Sequence, residues 1–341
     1  MKKLTMKKLV LLSFIAVIFY GINAQAQDKT GTTSAPFLSI TSGARATAMG
    51  GAYVALGNDG SSMFYNPGTM AQIQYNNLSF SNINWFLDSQ IQDATVIING
   101  NKKGNFGLSV RALNYGSIDV TTISNPEGTG EQFTPTDLSV AFTYSRYVTN
   151  KFSIGATSKF IQQKIWNESA SGFAVDLGML YKTDFRNLTI GMSILNFGTD
   201  MQLSGDDLRE PIDLDPNNGN NDRIEAFLGT DSWALPLLFK VGIAFEALST
   251  ENHKIIAAVD AKHPNDNSES IDVGAEYGFN KLIFFRGGYR SLFSSQKEDQ
   301  GFTAGFGLEY KINGVIAKLS GAYMAHEYLQ DPLLWTLEIQ F

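Results

Sequence analysis

The stretch Gly172–Thr183, GFAVDLGMLYKT, alternates large apolar side chains with small or polar ones. Phe173 and Val175 fall on one face of an extended chain, and Asp176 and Gly178 fall on the other. Strict alternation of this kind is the sequence signal of a β-strand with two unlike faces. The same pattern recurs in the stretches 239–246, 271–279 and 335–341. The chain is therefore predicted to be all-β.

Fourteen such strands are predicted after residue 75. They cover residues 76–86, 90–100, 104–120, 138–150, 151–165, 171–183, 188–198, 236–248, 253–263, 269–280, 282–290, 300–313, 314–325 and 333–341. From the third strand onward, the connections alternate between longer and shorter. This is typical of a transmembrane antiparallel β-barrel with long external loops, short periplasmic turns, an apolar outer face and a polar lumen. A soluble secreted β-sandwich shows the same local alternation and is the alternative.

The first residues, 1–26, are predicted to be a signal peptide. Four lysines precede the apolar run Leu9–Phe19, and Ala24-Gln25-Ala26 is a small-x-small cleavage site. An uncleaved anchor is the alternative, although the apolar run is short for a membrane span. The 341-residue chain has no cysteine, which excludes disulfides and a lipidated cysteine, and its net charge of −7 argues against a nucleic-acid partner. We expect a protein of the outer membrane of a Gram-negative bacterium, surrounded by outer-membrane lipid.

Residues 27–75 lack alternation and contain the turn-forming stretch SMFYNPGTM, residues 62–70. Pro67 has no amide hydrogen to donate, and glycine permits sharp reversals of the backbone. The lumen of a fourteen-strand barrel is wider than its own side chains can fill. We therefore predict that residues 27–75 form a luminal plug that enters from the periplasmic side, followed by the barrel over 76–341.

The segment PFLSITSGARATAMGGAYVALGNDGSSMFYNPGTMAQ, residues 36–72, resembles the N-terminal signature of the PorV/PorQ family. That family is related to the FadL-type fatty-acid transporters. The positions that carry the resemblance are Pro36, Phe37, Gly43, Ala44, Arg45, Met49, Gly50, Gly51, Ala52, Val54, Ala55, Asp59, Asn66 and Pro67. Gly68 departs from the pattern, since alanine is usual after Asn-Pro. The rest of the chain matches only as a fourteen-strand barrel that follows a hatch.

The resemblance implies one of two functions. PorV-like proteins work in type IX secretion, where they bind the C-terminal signal domain of exported cargo at the outer face and carry it to the attachment machinery. FadL-like proteins pass hydrophobic small molecules through a hatch that opens to the barrel wall, with solute or lipid in the lumen. The PFL…GARA opening favours the PorV-like function.

Two sets of candidate site residues follow. The plug set is Pro36, Phe37, Gly43, Arg45, Met49, Gly50, Gly51, Asp59, Asn66, Pro67 and Gly68. Within it, Arg45 is expected to pin the plug by pairing with a luminal acid, for which the candidates are Asp176, Asp272, Glu276, Glu309 and Glu338. Asn66 is expected to cap the turn at Pro67.

The second set lies in the long connection 198–235, which contains Met201, Leu203, Leu214, Ile224, Phe227, Leu228 and Trp233. Loops of this length without structure of their own are usually functional or disordered. Its apolar residues either fold down over the barrel mouth or offer a surface to a cargo domain, and the sequence leaves both open.

No catalytic, cofactor or metal site is predicted. The stretch Asp213–Arg223, DLDPNNGNNDR, resembles a calcium loop, but its glycine is one position out of register. An ordinary polar loop is the favoured interpretation, with weak calcium binding through Asp213, Asp215, Asn217 and Asp222 as the alternative. The histidines at 253, 263 and 326 lack metal-ligand spacing, and no G-x-S-x-G motif occurs.

Overall fold

The computed structural model describes residues 29–185, 187–213, 224–328 and 330–341. The predicted signal peptide, residues 1–26, lies outside the described residues, as do Leu214 and the calcium-like positions 215, 217 and 222. Fourteen long strands form the main sheet. They are β1 (Asn77–Asn84), β2 (Gln90–Asn99), β3 (Asn105–Asn114), β4 (Thr136–Tyr147), β5 (Phe152–Ile165), β6 (Glu168–Lys182), β7 (Thr189–Gly198), β8 (Leu238–Ser249), β9 (His253–Pro264), β10 (Ser270–Phe279), β11 (Ile283–Leu292), β12 (Gly301–Ile312), β13 (Val315–Met324) and β14 (Leu333–Gln340).

This sheet closes on itself. Each strand pairs antiparallel with the next along the chain, and β14 pairs with β1 from Asn77↔Gln340 to Asn84↔Leu333. The predicted fourteen-strand antiparallel barrel is confirmed, and the sandwich alternative is wrong because the fourteen strands form one closed sheet. Closure is what hydrocarbon demands, since lipid offers no partner to an unpaired backbone N–H or C=O group.

The two faces of the wall differ as the alternation predicts. Along β6, Phe173 and Val175 are exposed on the outside, whereas Ala174 and Asp176 are buried toward the lumen. Along β14, Trp335 faces outward and its neighbours on either side are buried. Apolar side chains thus form the outer surface, and serine, threonine and charged residues line the inside.

The two ends of the barrel are distinguished by their connections. One end, called the long-loop end here, carries the connections 115–135 and 199–237, whereas the turns 250–252 and 313–314 lie at the other, the short-turn end. The start of β1 and the end of β14 also lie at the short-turn end, where Asn76 N donates to Phe341 O at 3.0 Å. Long loops face outward in bacterial barrels, so the long-loop end is assigned to the cell exterior.

The predicted alternation of connection lengths fails at one place. β5 and β6 are joined only by Trp166 and Asn167 at the long-loop end. Their ladder continues to Ile165↔Glu168, so residues that the sequence pattern left in a loop extend the hairpin. β3, by contrast, is shorter than predicted, since it ends at Asn114 and not at residue 120.

Two bulges explain the position of two luminal acids. Asn196, at φ 61°, donates its backbone N–H to Asp176 at 2.7 Å where the β6–β7 register shifts. Ser291, at φ 53°, donates in the same way to Asp272 at 2.8 Å where the β10–β11 register shifts. These carboxylates satisfy backbone groups that the bulges leave out of the ladder. None of the helices in the described residues is long and apolar enough to cross a membrane.

Candidate functional site

The amino-terminal segment, residues 29–75, packs against the lumen-facing side of the barrel wall. It contains the short helices Pro36–Ser39, α1 (Ala44–Ala48), Gly60–Phe64 and Pro67–Gln72. Its first residues lie at the long-loop end, where Ser34 N donates to Ala234 O at 2.8 Å. Its last residues lie at the short-turn end, next to Phe341. The described part of the segment therefore runs from one end of the lumen to the other. The expectation that the segment enters from the periplasmic side stays a prediction, because the residues before 29 lie outside the described part.

Arg45 lies in α1 and contacts the barrel wall. Its Nε and Nη2 atoms each lie 2.8 Å from the Glu276 carboxylate on β10, one of the five acids that the sequence offered as partners. Glu276 also accepts from Arg286 Nε at 2.6 Å, so one carboxylate holds two guanidinium groups. Burial disfavours the charge of Arg45, but Glu276 and Asp59 outweigh this and raise the pKa of Arg45 well above its usual range. The two parallel hydrogen bonds from Arg45 to Glu276 are stronger and more directional than a single hydrogen bond would be.

Asp59 connects the helix Gly60–Phe64 to Arg45 of α1. It caps Gly60–Phe64 by accepting from Ser61 N at 3.1 Å, and it lies 3.4 Å from Arg45 Nη1. The hydroxyl of Tyr53 also donates to Asp59. Burial opposes ionisation of Asp59, yet Arg45 and the hydrogen bonds from Ser61 and Tyr53 outweigh it and hold the pKa of Asp59 below its usual range.

The Asn66-Pro67-Gly68 turn lies directly on the wall. Asn66 accepts from Gly68 N at 2.9 Å, as the sequence predicted for a cap, and its amide nitrogen also donates to Met179 O at 2.9 Å. A Cβ on Gly178 would stand 2.8 Å from Pro67 Cδ. Gly68 is just as close to the wall, since its own Cβ would stand 2.8 Å from Gly178 O. The turn fits because glycine occupies both sides of the contact.

Met49, Gly50 and Gly51 make a second close approach, against β10 and β11. Gly50 has φ 68°, and a Cβ there would stand 2.7 Å from the backbone oxygen of Val273. On the opposite side, a Cβ on Gly274 would stand 2.8 Å from Met49 Cβ. Gly51 continues the turn at φ 83°. Positive φ and contact with the wall together require glycine at Gly50.

The beginning of the segment is held by a buried ion pair. Arg111 on β3 binds Asp93 on β2 through Nε at 2.7 Å, and its Nη1 atom donates to Phe37 O at 3.2 Å. Phe37 itself is buried, and Pro36 begins the first helix. Gly43, at φ 75°, precedes α1 and leaves no room for a Cβ beside Ser61. All members of the predicted plug set therefore lie in contacts within the segment or between it and the wall.

Sequence reasoning offered Glu276 as a partner on the wall but missed most of the wall's other contacts. Asp260 accepts from the backbone nitrogens of Tyr53 at 2.7 Å and Val54 at 2.8 Å, and neither it nor the Asp93–Arg111 pair was proposed. The lumen-side glycines that receive the segment include Gly155, Gly178, Gly191, Gly274, Gly288 and Gly305. The sequence does indicate where such residues lie, because they fall on the polar face of strands whose opposite face is apolar.

Two cavities flank the segment. One, of about 600 Å³, opens at the short-turn end and is lined by the Arg45–Glu276–Arg286 cluster together with Lys254 and Lys318. The other, of about 410 Å³, lies at the long-loop end. In the first, Lys254 pairs with Glu246 at 2.6 Å and Lys318 lies 3.5 Å from Glu338.

The apolar residues of the long connection differ in burial. Met201 is buried and packs beside Gly172, and Leu203 packs against the same cluster over the barrel mouth. Four others are exposed at the long-loop end. They are Ile224 (37%), Phe227 (65%), Leu228 (54%) and Trp233 (46%).

Among the described residues, no group of three or more His, Cys, Asp or Glu side chains is placed to hold a metal ion. His253 Nδ1 lies 2.8 Å from the Tyr277 hydroxyl, and His263 Nδ1 lies 3.0 Å from Glu269. These are ordinary pairs at strand ends.

The comparisons with known proteins agree with this geometry. The sequence model of the family described as type IX secretion system protein PorV matches residues 23–209. No curated protein sequence matches the chain.

Several solved structures share the fold. The toluene transporter TodX of Pseudomonas putida superposes with a TM-score of 0.56 at 12% identity, covering 88% of this chain and 97% of that one. A FadL homologue of Pseudomonas aeruginosa gives 0.52 at 12% identity, covering 89% and 98%. The monoaromatic hydrocarbon channel CymD gives 0.54 at 13% identity, covering 87% and 96%. Identities this low show the fold alone. Family and fold are those of outer-membrane secretion or transport barrels of Gram-negative bacteria.

Proposed function

Because the chain belongs to the PorV family of type IX secretion system proteins, we propose that its extracellular face binds the C-terminal signal domain of secreted cargo. In this function the barrel holds the cargo at the cell surface and passes it to the other components of the type IX machinery. Lipid of the outer membrane surrounds its apolar outer wall. The ion pairs described above serve to join segment and wall, and we infer that the chain catalyses no reaction.

The observation that carries this proposal is a set of exposed apolar side chains in the long connection, called the apolar loop surface here: Ile224, Phe227, Leu228 and Trp233. Ile224 and Phe227 belong to the short strand Ile224–Phe227, which pairs with Arg209–Ile212. Large apolar side chains exposed on a loop favour a protein-binding site. Lipid does not account for them, because they lie on the long-loop connection and not on the barrel wall.

The base of this loop is fixed, which gives the surface a defined position. Asp207 N donates to the Glu168 carboxylate at the end of the β5–β6 hairpin at 2.7 Å. Ser204 and Gly205 pair with the first residues of β6. A surface with a rigid base loses less conformational entropy on binding than a free loop would.

We further propose that the amino-terminal segment acts as a plug. The Arg45–Glu276 pair and the glycine contacts at Asn66-Pro67-Gly68 support this, because both fix the segment to the wall. The alternative function, uptake of hydrophobic molecules as in FadL-like barrels, predicts a kink or gap in a strand beside the plug. In the part of the chain that the structure describes, neighbouring barrel strands are hydrogen-bonded, with register shifts beside Asn196 and Ser291, and the fold is compatible with this alternative as well.

The experiment compares two variants in cells that secrete a cargo with its signal domain. Phe227→Ser combined with Leu228→Ser removes half of the apolar loop surface without touching the barrel. Phe185→Ser is the matched control, since Phe185 is 69% exposed but lies in a turn at the short-turn end. We expect the loop variant to lose cargo co-purification and the control to keep it. Equal cargo recovery from both variants would reject this surface as the binding site.

A further inference from the structure

An apolar groove crosses the lipid-facing side of the barrel wall. Its volume is about 420 Å³, and it extends over strands β4 to β8. Ala156 on β5 is smaller than the other lipid-facing residues of the groove, so the wall is indented there. The lipid-facing side chains that line the groove are Tyr144, Ile154, Ala156, Leu177, Met179, Met192, Ile194 and Phe239.

The register of the strands fixes the course of this groove. One row of cross-strand partners runs through it, and its members are Tyr144, Ala156, Leu177, Ile194 and Phe239. Tyr144 lies near the short-turn end of β4, whereas Phe239 lies near the long-loop end of β8. Four strand spacings of about 4.8 Å give this row a length of about 19 Å, which suits an extended hydrocarbon chain. The groove therefore runs obliquely across the wall and begins near the short-turn end.

Exposed basic side chains lie where the groove begins. Lys102 and Lys103 occupy the turn between β2 and β3, and Arg146 lies on the lipid-facing side of β4, two residues beyond Tyr144. The turn is close to β4, since a Cβ on Gly104 would stand 2.9 Å from Arg146 Cβ. The cross-strand partner of Arg146 is a residue of the groove, Ile154. Lys102, Lys103 and Arg146 are called the basic cluster here.

No ion pair neutralises the basic cluster among the described residues. Apart from the cluster itself, the stretches 98–106 and 142–154 contain one charged residue, Lys151, and no acid. Lys151 pairs with Asp184, whereas no described acidic side chain pairs with the basic cluster. The three charges are therefore available to an anion from outside the chain.

Tyr144 joins the groove to the basic cluster. Its ring lines the groove, and its hydroxyl donates to Lys103 O at 2.8 Å. The Phe106 ring lies 5.1 Å from the Tyr144 ring and 6.4 Å from the Phe142 ring, measured between centroids. Aromatic side chains at the edge of a barrel wall are typical of the membrane–water interface. The basic cluster therefore lies at the depth of the lipid headgroups.

We propose that this surface binds one anionic phospholipid of the periplasmic leaflet. The basic cluster holds the phosphate of the headgroup, and one acyl chain lies in the groove over Ala156. Arg146 can donate two parallel hydrogen bonds to phosphate oxygens, and the two lysines add their charge. This site does not depend on cargo binding, because the apolar loop surface lies at the opposite end of the barrel.

The test measures lipid retention by native mass spectrometry on the full chain purified in a mild detergent. Dioleoylphosphatidylglycerol, which is anionic, is compared with dioleoylphosphatidylcholine, which has the same acyl chains and no net charge. We expect the parent chain to retain one phosphatidylglycerol molecule about tenfold more tightly than phosphatidylcholine. Glycerol 3-phosphate, which has the phosphate without acyl chains, should not be retained.

Two double variants test the headgroup contacts. Lys103→Gln combined with Arg146→Gln should weaken phosphatidylglycerol binding about 30-fold, because both charges next to the phosphate are lost. Lys281→Gln combined with Lys311→Gln removes the same amount of charge from exposed positions elsewhere at the short-turn end and should leave binding unchanged. Equal losses in the two double variants would overturn the proposal, because they would show attraction by overall charge.

A second pair of variants tests the groove without changing the charge. Ala156→Phe fills the indentation and should weaken phosphatidylglycerol binding. Val140→Phe adds the same ring to the lipid-facing side of β4 outside the groove and should not. Unchanged binding in Ala156→Phe, equal retention of the two phospholipids by the parent chain, or retention of glycerol 3-phosphate would each count against a lipid site here.

Discussion

Gly178→Ala is the sharpest test of how the amino-terminal segment is attached to the barrel. The new methyl group would stand 2.8 Å from Pro67 Cδ and 2.9 Å from Gly68 N, and closer still to Asn66 Oδ1. Non-bonded atoms do not approach a Cβ atom this closely, so the Asn66-Pro67-Gly68 turn must move away from β6. Its movement strains the hydrogen bond from Asn66 Nδ2 to Met179 O, which is 2.9 Å long.

The expected cost follows from these two effects. Inserting a methyl group into a well-packed contact costs about 1–3 kcal/mol. Losing a hydrogen bond inside the protein adds about 1 kcal/mol. We expect Gly178→Ala to lower the free energy of unfolding by about 2–4 kcal/mol in total.

The matched control is Gly287→Ala on β11. A Cβ there would have one neighbour within 4 Å, the Thr303 oxygen at 3.8 Å, which is an ordinary contact. Urea unfolding of both variants in the same detergent measures the difference, and planar-bilayer conductance shows whether a displaced turn opens the lumen. We expect only Gly178→Ala to lose stability and to conduct more. If the two alanine variants unfold at the same urea concentration, the turn does not rest on the wall as described.

Two further predictions concern the same segment. Asp59→Asn should destabilise the chain at neutral pH, and the difference in stability from the parent should shrink as the pH falls below about 4. The reason is that the pKa of Asp59 is lowered in the folded chain, so the stability that its carboxylate contributes is present above the pKa of the unfolded state and is lost on acidification. Thermal midpoints of both chains between about pH 7 and pH 3 measure this difference, and a difference independent of pH would contradict this role. Thr32→Cys should react with a membrane-impermeant maleimide on intact cells, whereas Lys281→Cys in the turn after β10 should not. Because the chain has no cysteine of its own, neither measurement has background labelling. The reverse labelling pattern would place the first residues of the segment at the periplasmic side.

The barrel could be predicted from sequence because alternation is a local property of the chain. In β6, the hydrophobicity of each residue from Phe173 to Asp176 shows which face of the strand it lies on. The number of such alternating stretches gives the number of strands. Limits of strands were harder to place. The β5–β6 hairpin extends to Ile165↔Glu168, where the sequence turns polar and no longer distinguishes a strand from a loop.

The contacts of the amino-terminal segment were predicted only in kind. An isolated charge such as Arg45 in a narrow lumen implies a carboxylate partner, but five acids met that requirement. Choosing Glu276 requires the register of β10 relative to α1, which depends on how the whole ring closes. The same applies to Gly178 and Gly274, whose role becomes visible only when Asn66 and Met49 are seen against them.

The family match covers the part of the chain in which the amino-terminal segment meets strands β1 to β7. The match ends at residue 209, so it includes the amino-terminal segment and strands β1 to β7 but stops before the apolar loop surface. The matched part contains the turn at Asn66 and the Gly155 and Gly178 contacts, whose geometry tolerates little change. The exposed side chains of Phe227 and Leu228 lie beyond the matched residues, and among the described contacts the base of their loop meets the wall at Gly205 and Asp207 instead.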